Sequence, residues 1–363
     1  MASVGKFVTA TLVALVAAAS LVLPVHADAA QKAAAKKKSH AVAPLKSKAL
    51  ASKATRSIKG ARQAVVLPDT SRISSIRRVS AVMRVEPARP SFGQLYGLHN
   101  TADSLDLKSS VALVLDSETN EVLFSKNPRA VLPIASLTKL MTAVVVAEAK
   151  LPLNEALTIT EDDIDTEKNS RSRLRVGTTL SREEMLHLAL MSSENRAANA
   201  LGRAHPGGLE AFVAAMNRKA RDLGMNDTHY VEPTGLSSRN QSSARDLATL
   251  VQAAQAHPMI RQFSTSPEFE VEVGNRPTQF RTTNALVRSP AWDIALQKTG
   301  YITEAGRCLV MQARMAGRQL IMVFLDSTGK YSRIGDAERV RRWVSELPLP
   351  APVTATVLLK PNS

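Results

Sequence analysis

The chain is poor in cysteine and in aromatic residues. Cys308 is its one cysteine among 363 residues, so no disulfide bond can form within the chain. No cysteine stands near the N-terminus, which argues against a lipid-anchored protein. Apolar residues follow Cys308 and no base stands at a recognisable spacing from it, so we expect a buried strand residue rather than a catalytic thiol. No internal repeat is evident.

Acidic residues are scarce in one segment only. Residues 28–95 contain 15 lysines and arginines but three acidic residues, and account for most of the net charge of +15. Such a segment, rich in alanine and serine and nearly free of aromatics, cannot bury enough apolar surface to offset its chain entropy. We therefore predict a basic, mostly disordered N-terminal segment over residues 28–108, dispensable for catalysis.

The basic segment allows three interpretations. Its triple lysine, Lys36-Lys37-Lys38, is typical of nucleic-acid-binding tails. Export from the cytoplasm would separate it from nucleic acid and leave anionic envelope polymers or lipid head groups as partners. A solvated spacer without a dedicated partner is the third interpretation. We expect no nucleic-acid partner.

The first 27 residues resemble an export signal. Lys6 gives a positive start, residues 7–23 are almost wholly apolar, and small residues precede a cut after Ala27. The alternative is an uncleaved membrane anchor, because 17 apolar residues approach the length that spans a bilayer. We expect a cleaved signal over residues 1–27 and a periplasmic protein.

The residues after Ser109 predict a globular domain over 109–347, followed by a tail over 348–363. Apolar runs typical of strands occur near both ends of this domain, and amphipathic helices lie between them. The predicted strands are residues 111–115, 121–124, 294–300, 308–313 and 319–325. Strands from both ends would share one sheet. The predicted class is therefore α/β (α+β), with an antiparallel sheet flanked by helices and an inserted all-helical lobe.

A serine followed three residues later by lysine occurs three times, at Ser3, Ser136 and Ser327. Only the copy at Ser136-Leu137-Thr138-Lys139 begins a predicted helix. Residues three apart share a helix face, so the amine of Lys139 can lie beside the hydroxyl of Ser136. A serine needs such a base to become a nucleophile. A lysine can serve if burial or a nearby cation lowers its pKa.

Two further motifs follow in order. Ser-x-Asn recurs at three places, but only Ser193-Glu194-Asn195 lies at a break between two helical stretches, where both side chains could face a cleft. Lys298-Thr299-Gly300 occurs once, at the end of a predicted strand, where glycine lets another backbone approach closely. An extended peptide could then pair along this strand. Alone, each motif also fits a helix cap or a strand end.

Together the three motifs and their flanking residues resemble the low-molecular-mass penicillin-binding proteins, the serine D-alanyl-D-alanine peptidases, and among them the endopeptidases. The resemblance covers residues 109–347. The supporting stretches are 133–143, 191–198, 231–237 and 308–311. The implied fold is that shared by DD-peptidases and β-lactamases.

The resemblance implies a role for each motif residue. Ser136 would form an acyl-enzyme, Lys139 would be its general base, and Ser193 would pass a proton to the leaving amine. The substrate-binding residues would be Asn195, Lys298, Thr299 and Gly300, and the backbone N–H groups of Ser136 and Tyr301 would form the oxyanion hole. No cofactor or metal is expected. β-Lactams would be covalent inhibitors, and peptidoglycan cross-links the substrate.

Several alternatives remain at this point. A class A β-lactamase would need a glutamate to activate the deacylating water, but Glu232 lies in a stretch typical of peptidases and we interpret it as structural. A D-alanyl-D-alanine carboxypeptidase is a closer alternative. It usually carries a second domain and an amphipathic C-terminal helix, whereas here a proline-rich stretch follows Leu347. Outside the enzymes, a penicillin-binding sensor or an envelope scaffold is possible.

Overall fold

The computed structural model describes residues 89–348, and these contain a five-stranded antiparallel sheet with strand order β2-β1-β11-β10-β9. The strands of this sheet are β1 (Ser109–Asp116), β2 (Val122–Lys126), β9 (Asp293–Ile302), β10 (Gly306–Met315) and β11 (Arg318–Ser327). The first and last strands of the chain pair directly, with Val111 opposite Leu325. The predicted closure of one sheet by distant segments is thus confirmed.

Both faces of the central strands are buried, which explains their nearly continuous apolar sequence. Alternate residues of β1 enter two different cores. Val111 and Leu113 face the helical lobe, whereas Ala112 and Val114 face the C-terminal helix. Burying such a side chain contributes roughly 1.5–3 kcal/mol. The sheet is therefore the middle of three layers.

Helices fill the two outer layers. They are α1 (Phe92–Leu95), α2 (Thr138–Glu148), α3 (Arg182–Met191), α4 (Asn195–Arg203), α5 (Gly208–Asp222), α6 (Ala244–Gln255), α7 (Pro258–Thr265) and α8 (Ser332–Glu346). Most lie in the inserted lobe between β2 and β9, and α8 covers the opposite face of the sheet. The predicted α/β class with an inserted helical lobe is confirmed. None of the helices within residues 89–348 has the length and apolarity needed to cross a membrane.

Three short two-stranded sheets lie in the segments between the helices. They are β3 (Leu132–Pro133) with β6 (Gln241–Ser242), β4 (Ala156–Thr158) with β5 (Thr179–Ser181), and the hairpin of β7 (Glu268–Glu272) with β8 (Pro277–Arg281). The first pair fixes the turn before α2 against residues 240–242, because Ile134 N–H also donates to the Asn240 carbonyl at 3.1 Å. The sequence analysis did not foresee the β7–β8 hairpin.

The residues just before Ser109 are structured, which corrects part of the expected disordered segment. Ser91 caps α1 in a reciprocal capping box with Gln94, and its Oγ donates to Asp326 Oδ2 at 2.9 Å. The amine of Lys126 and the carboxylate of Asp103 form a buried ion pair at 2.9 Å. Their polar groups need these partners because burial removes water. Residues 89–108 therefore pack against the sheet.

The remaining boundary predictions lie outside the described residues. These are the signal at 1–27, the basic segment as far as residue 88, and the tail from 349 onward.

A chain that begins at Ser109 should be less stable than one that begins at Arg89. The shorter chain lacks Asp103 and Leu107, which both accept hydrogen bonds from the Lys126 ammonium. Hydrogen bonds to charged groups contribute about 1.5–3 kcal/mol each, so the loss of both corresponds to a fall in Tm on the order of 10 °C. Thermal unfolding followed by circular dichroism measures the difference. Equal Tm values would contradict it and restore the boundary at Ser109.

Candidate active site

Ser136 lies in a tight turn, Ala135–Leu137, immediately before α2. The sequence analysis placed it in the helix itself, but the α-helix begins at Thr138 and a 3₁₀ turn carries the serine. Ala135 has a φ of 48°, in the left-handed region that costs a non-glycine residue about 1–3 kcal/mol. The surrounding contacts hold this strained turn and expose the hydroxyl of Ser136 to the cleft.

Two glycines allow backbone segments to approach the Ser136 turn. A Cβ at Gly235 would lie 1.9 Å from the Ala135 carbonyl oxygen, and one at Gly300 would lie 3.1 Å from the Ser136 nitrogen. Gly235 also has a φ of 83°, which favours glycine. The glycine of the Lys-Thr-Gly motif therefore serves the close approach that the sequence predicted. Strand β9 runs directly beside Ser136.

Lys139 contacts the serine as expected. Its fully buried Nζ donates to Ser136 Oγ at 3.1 Å, to Asn195 Oδ1 at 2.7 Å and to the Thr234 carbonyl at 2.6 Å. Burial lowers the pKa of Lys139 to about 8, and the negative charge of Glu232 opposes this shift. An amine with this pKa is partly neutral near neutral pH, so it can accept a proton from Ser136.

Ser193 lies between α3 and α4, where the sequence placed a helix break. Its φ of 63° is again left-handed, and its Oγ accepts a hydrogen bond from Lys298 Nζ at 2.8 Å. Lys298 also donates to the Thr299 carbonyl at 2.9 Å. The two polar motifs are thus in direct contact, although 105 residues separate them.

Lys298 is a second buried lysine in the cleft. Burial lowers its pKa well below the ordinary value, and the positive charges of Lys139 and Arg333 lower it further. Arg333 is a residue that the sequence analysis missed. Its Nε and Nη1 are buried and have no hydrogen-bond partner among the described residues. Unpaired donors of this kind can receive an anionic group of a ligand.

Asn195 joins Lys139 to a long loop of the helical lobe. Its Nδ2 donates to Ser170 Oγ at 2.9 Å while its Oδ1 accepts from Lys139. The same loop reaches past the end of β9, where Lys168 Nζ contacts Glu304 Oε1 at 2.6 Å. The loop therefore contacts both the Ser-x-Asn motif and the turn that follows the Lys-Thr-Gly strand.

Thr299 and Tyr301 lie in β9 along the same cleft. The hydroxyls of Thr299 and Thr283 lie 2.6 Å apart, which ties β9 to the segment after the β7–β8 hairpin. The ring of Tyr301 is exposed, and the guanidinium of Arg307 lies 4.4 Å from its centre. A role for Tyr301 would rest on its backbone N–H, one residue beyond Gly300.

Glu232 organises a loop next to Lys139. Its carboxylate oxygens accept from Gly235 N–H at 2.7 Å, from Thr234 N–H at 2.5 Å and from Asn240 Nδ2 at 2.9 Å. This loop presents the Thr234 carbonyl to Lys139. The interpretation of Glu232 as structural agrees with these bonds. The sequence analysis did not foresee the contact of Lys139 with the Thr234 carbonyl, because every residue has a backbone carbonyl and no motif marks this one.

The other described copy of the Ser-x-x-Lys motif lies away from the cleft, and the copy at Ser3 falls outside the described residues. Ser327 is the last residue of β11 and hydrogen-bonds to Ser332 and Asp336. Cys308 is buried in β10 and burial raises its pKa to about 12, so its thiol is not a nucleophile. The predicted site residues that do come together are Ser136, Lys139, Ser193, Asn195, Lys298, Thr299 and Gly300.

The chain is similar to known peptidases in sequence and in fold. Residues 98–329 match the peptidase S11 family model, described as D-alanyl-D-alanine carboxypeptidase. A D-alanyl-D-alanine endopeptidase of Pseudomonas aeruginosa is 51% identical over 66% of this chain and 78% of its own length. That of Escherichia coli is 44% identical over 75% and 89%. The solved Streptomyces K15 DD-transpeptidase is 26% identical, with a TM-score of 0.63 over 68% of this chain and all of its own.

The sheet with its helical lobe, and the serine, two lysines and asparagine where they meet, are those of a serine hydrolase. Within that class, the chain belongs to the D-alanyl-D-alanine carboxypeptidase family, peptidase S11, and is a serine-type D-alanyl-D-alanine peptidase.

The rate of acylation by penicillin should rise with pH and level off above about pH 8. Below the pKa of about 8 the Lys139 amine is protonated and cannot accept the proton of Ser136, whereas above it the amine is free to do so. Stopped-flow acylation between pH 6 and 9.5, with Tm measured at each pH, tests this. A rate that does not change across this range would contradict the role of Lys139.

Gly235→Ala should reduce the acylation rate by about 10²-fold, because its Cβ would displace the Ala135 carbonyl and move Ser136. Gly224→Ala is the matched control. Gly224 has a φ of 73° but no atom within 4 Å of the added Cβ, so it tests backbone strain alone. Equal acylation rates for the two variants would show that the close approach at Gly235 has no effect on the nucleophile.

Proposed function

We propose that the protein is an exported D-alanyl-D-alanine endopeptidase that hydrolyses the peptide cross-links of peptidoglycan through an ester on Ser136. The observation that carries this proposal is the contact of 3.1 Å between Ser136 Oγ and the buried amine of Lys139, whose pKa is lowered to about 8. A nucleophile and a base with suitable pKa are the minimum machinery for acyl transfer.

In the first step, the neutral amine of Lys139 accepts the hydroxyl proton as Ser136 Oγ attacks the D-alanyl carbonyl carbon. The carbonyl π electrons move to its oxygen, which receives hydrogen bonds from the backbone N–H groups of Ser136 and Tyr301. Loss of one such donor typically costs ~10²–10³ in rate. The position of β9 beside the Ser136 nitrogen supports this oxyanion hole.

Collapse of the tetrahedral intermediate breaks the peptide bond, and the leaving nitrogen needs a proton. Ser193 passes its hydroxyl proton to this nitrogen and is reprotonated by Lys298, and the proton that Lys139 took from Ser136 then replaces the one that Lys298 gave, so that Lys139 is neutral again. Its contact with Lys298 at 2.8 Å supports this route. Asn195 and Thr299 hold the substrate backbone by hydrogen bonds. The unpaired donors of Arg333 would bind a carboxylate next to the departing nitrogen.

Water then attacks the ester carbonyl, with Lys139 again as base, and releases Ser136. A class A β-lactamase would use a glutamate for this step. Glu232 is the candidate, but both of its carboxylate oxygens accept hydrogen bonds from its own loop. The peptidase therefore lacks a free carboxylate at this position, and penicillin should remain bound to Ser136 as a long-lived ester.

Endopeptidase activity is favoured over carboxypeptidase activity because both reported relatives of more than 40% identity carry the endopeptidase name. Export to the periplasm follows from the signal-like residues 1–27 and from the location of peptidoglycan. For the basic segment over 28–88 we propose contacts with anionic envelope polymers or lipid head groups, on its charge alone.

Ser136→Ala should abolish covalent labelling by a fluorescent penicillin and cleavage of cross-linked peptides, since no other hydroxyl is placed beside Lys139 among the described residues. Ser327→Ala is the matched control, because Ser327 begins the other Ser-x-x-Lys sequence of the folded domain. Labelled protein is measured by gel fluorescence. Persistent labelling of the Ser136→Ala variant would remove the assignment of the nucleophile.

The bond that is cut can be read from the products of purified cross-linked muropeptide dimers, analysed by mass. Monomers that retain their terminal D-alanine indicate an endopeptidase, whereas dimers shortened by one alanine indicate a carboxypeptidase. Labelling by penicillin without any product would favour a sensor in place of an enzyme.

A further inference from the structure

A cavity lined by arginine side chains lies beyond one end of the proposed active site. It has a volume of about 520 Å³ and opens between residues 172–175 of the helical lobe and the tip of the β7–β8 hairpin. Arg173, Arg175 and Arg276 line it, and all three side chains are exposed. None of the described residues that line it is acidic. We call this cavity the arginine groove.

Two contacts place the arginine groove on the Ser193 side of the cleft. Ser172 Oγ, at the edge of the groove, donates to Glu194 Oε2 at 2.6 Å, and Glu194 is the residue after Ser193. On the other wall, the strand that leaves the hairpin continues to Thr283, whose hydroxyl contacts Thr299. In the proposed mechanism, Ser193 protonates the leaving nitrogen. The groove is therefore on the side from which the leaving peptide departs.

The guanidinium of Arg173 is held in place. It stacks on the ring of Phe280 at 3.8 Å, and its Nη1 donates to the Gln279 carbonyl at 2.6 Å. Arg175 and Arg276 take no hydrogen bond or ion pair through their side chains within residues 89–348. A planar guanidinium with free N–H donors matches the geometry of a carboxylate, and a fixed one loses less entropy on binding.

Nearby acidic groups do not neutralise the arginine groove. Glu194 is buried and already accepts the Ser172 hydroxyl, and burial raises its pKa. The glutamates of β7 alternate with Phe269 and Val271, which pack towards the core, so they occupy the opposite face of the hairpin. The groove therefore keeps a net positive field that attracts anions.

We propose that the arginine groove is a subsite for the carboxylates of the leaving peptide, that is, of the second stem in a cross-link. This inference rests on the proposed function and specifies its substrate: an anionic peptide attached to the leaving nitrogen. Arginine–carboxylate hydrogen bonds outside the reacting atoms would strengthen substrate binding without changing the chemistry at Ser136.

The distance of the groove from the cleft explains why a cross-link would be preferred. Five residues separate Thr283 from Thr278 at the groove, which corresponds to about 16 Å of extended strand. A single D-alanine spans only about 3.5 Å and cannot reach that far. A stem peptide of several residues can. The groove therefore distinguishes endopeptidase from carboxypeptidase substrates by length and charge.

The test compares the full chain with its Arg175→Gln, Arg276→Gln double variant. We expect KM for a cross-linked muropeptide dimer to rise about tenfold with kcat nearly unchanged, because the groove is remote from Ser136. Activity on an acyl-D-alanyl-D-alanine peptide and acylation by penicillin should not change. Arg221→Gln is the matched control, since Arg221 is exposed on α5, outside the groove. Raising salt should weaken dimer binding by the parent more than by the variant.

Binding of the same dimer in a Ser136→Ala background provides a readout that does not need hydrolysis. A Kd about tenfold weaker in the double arginine variant supports the groove, and an unchanged Kd overturns it even if cross-links are cleaved. If the dimer binds through the arginines but the parent protein cleaves no cross-link, the proposed function is overturned. The arginine groove is then still supported as a binding site.

Discussion

The site depends on the burial of two ammonium groups, those of Lys139 and Lys298. A buried ammonium without hydrogen-bond acceptors costs several kcal/mol, so each lysine must bring acceptors to its Nζ. Lys139 uses Asn195 and the Thr234 carbonyl, and Lys298 uses Ser193. These acceptors come from different parts of the chain. Satisfying the two amines therefore forces the helical lobe, the loop at Thr234 and strand β9 together around Ser136.

The two lysines differ in the charges around them, and this difference suits separate roles. Lys139 faces the negative charges of Glu232 and Glu194, which raise its pKa against the effect of burial. Lys298 faces the positive charges of Lys139 and Arg333, which lower its pKa further. The first amine can therefore exchange a proton near neutral pH, whereas the second hydrogen-bonds Ser193 in a cleft that already attracts anions.

Local features of the site could be predicted from the sequence because their causes are local. The helix beside Ser136 and the strand that carries Lys-Thr-Gly both follow from residues within one helix or strand. The Thr234 carbonyl could not be predicted, because its contact with Lys139 joins residues almost a hundred positions apart. Arg333 could not be predicted either, because no sequence motif marks it. The family resemblance did mark the stretch around Thr234, but not the contact.

The extent of the folded domain was misjudged for a similar reason. Composition averages over a whole segment. The basic composition of residues 28–95 therefore did not indicate that its last few residues pack on the sheet. Ser91 and His99 both hydrogen-bond Asp326, a residue 235 positions after Ser91. Asp326 itself has a left-handed φ of 49°. Only the folded sheet brings such an acceptor into place.

Glu232 is a residue type that can act as a general base, but its surroundings in the fold do not allow that role. A general base needs a free lone pair aimed at water, but the loop from Thr234 to Asn240 supplies N–H donors to both oxygens of this carboxylate. If Glu232 acted as a general base, its carboxylate would have to give up the hydrogen bonds from this loop. The loop would then move the Thr234 carbonyl away from Lys139. The hydrogen bonds that hold the Thr234 carbonyl against Lys139 therefore also occupy both oxygens of Glu232. In the proposed mechanism this carboxylate is not free to activate the deacylating water, so that mechanism predicts slow release of penicillin.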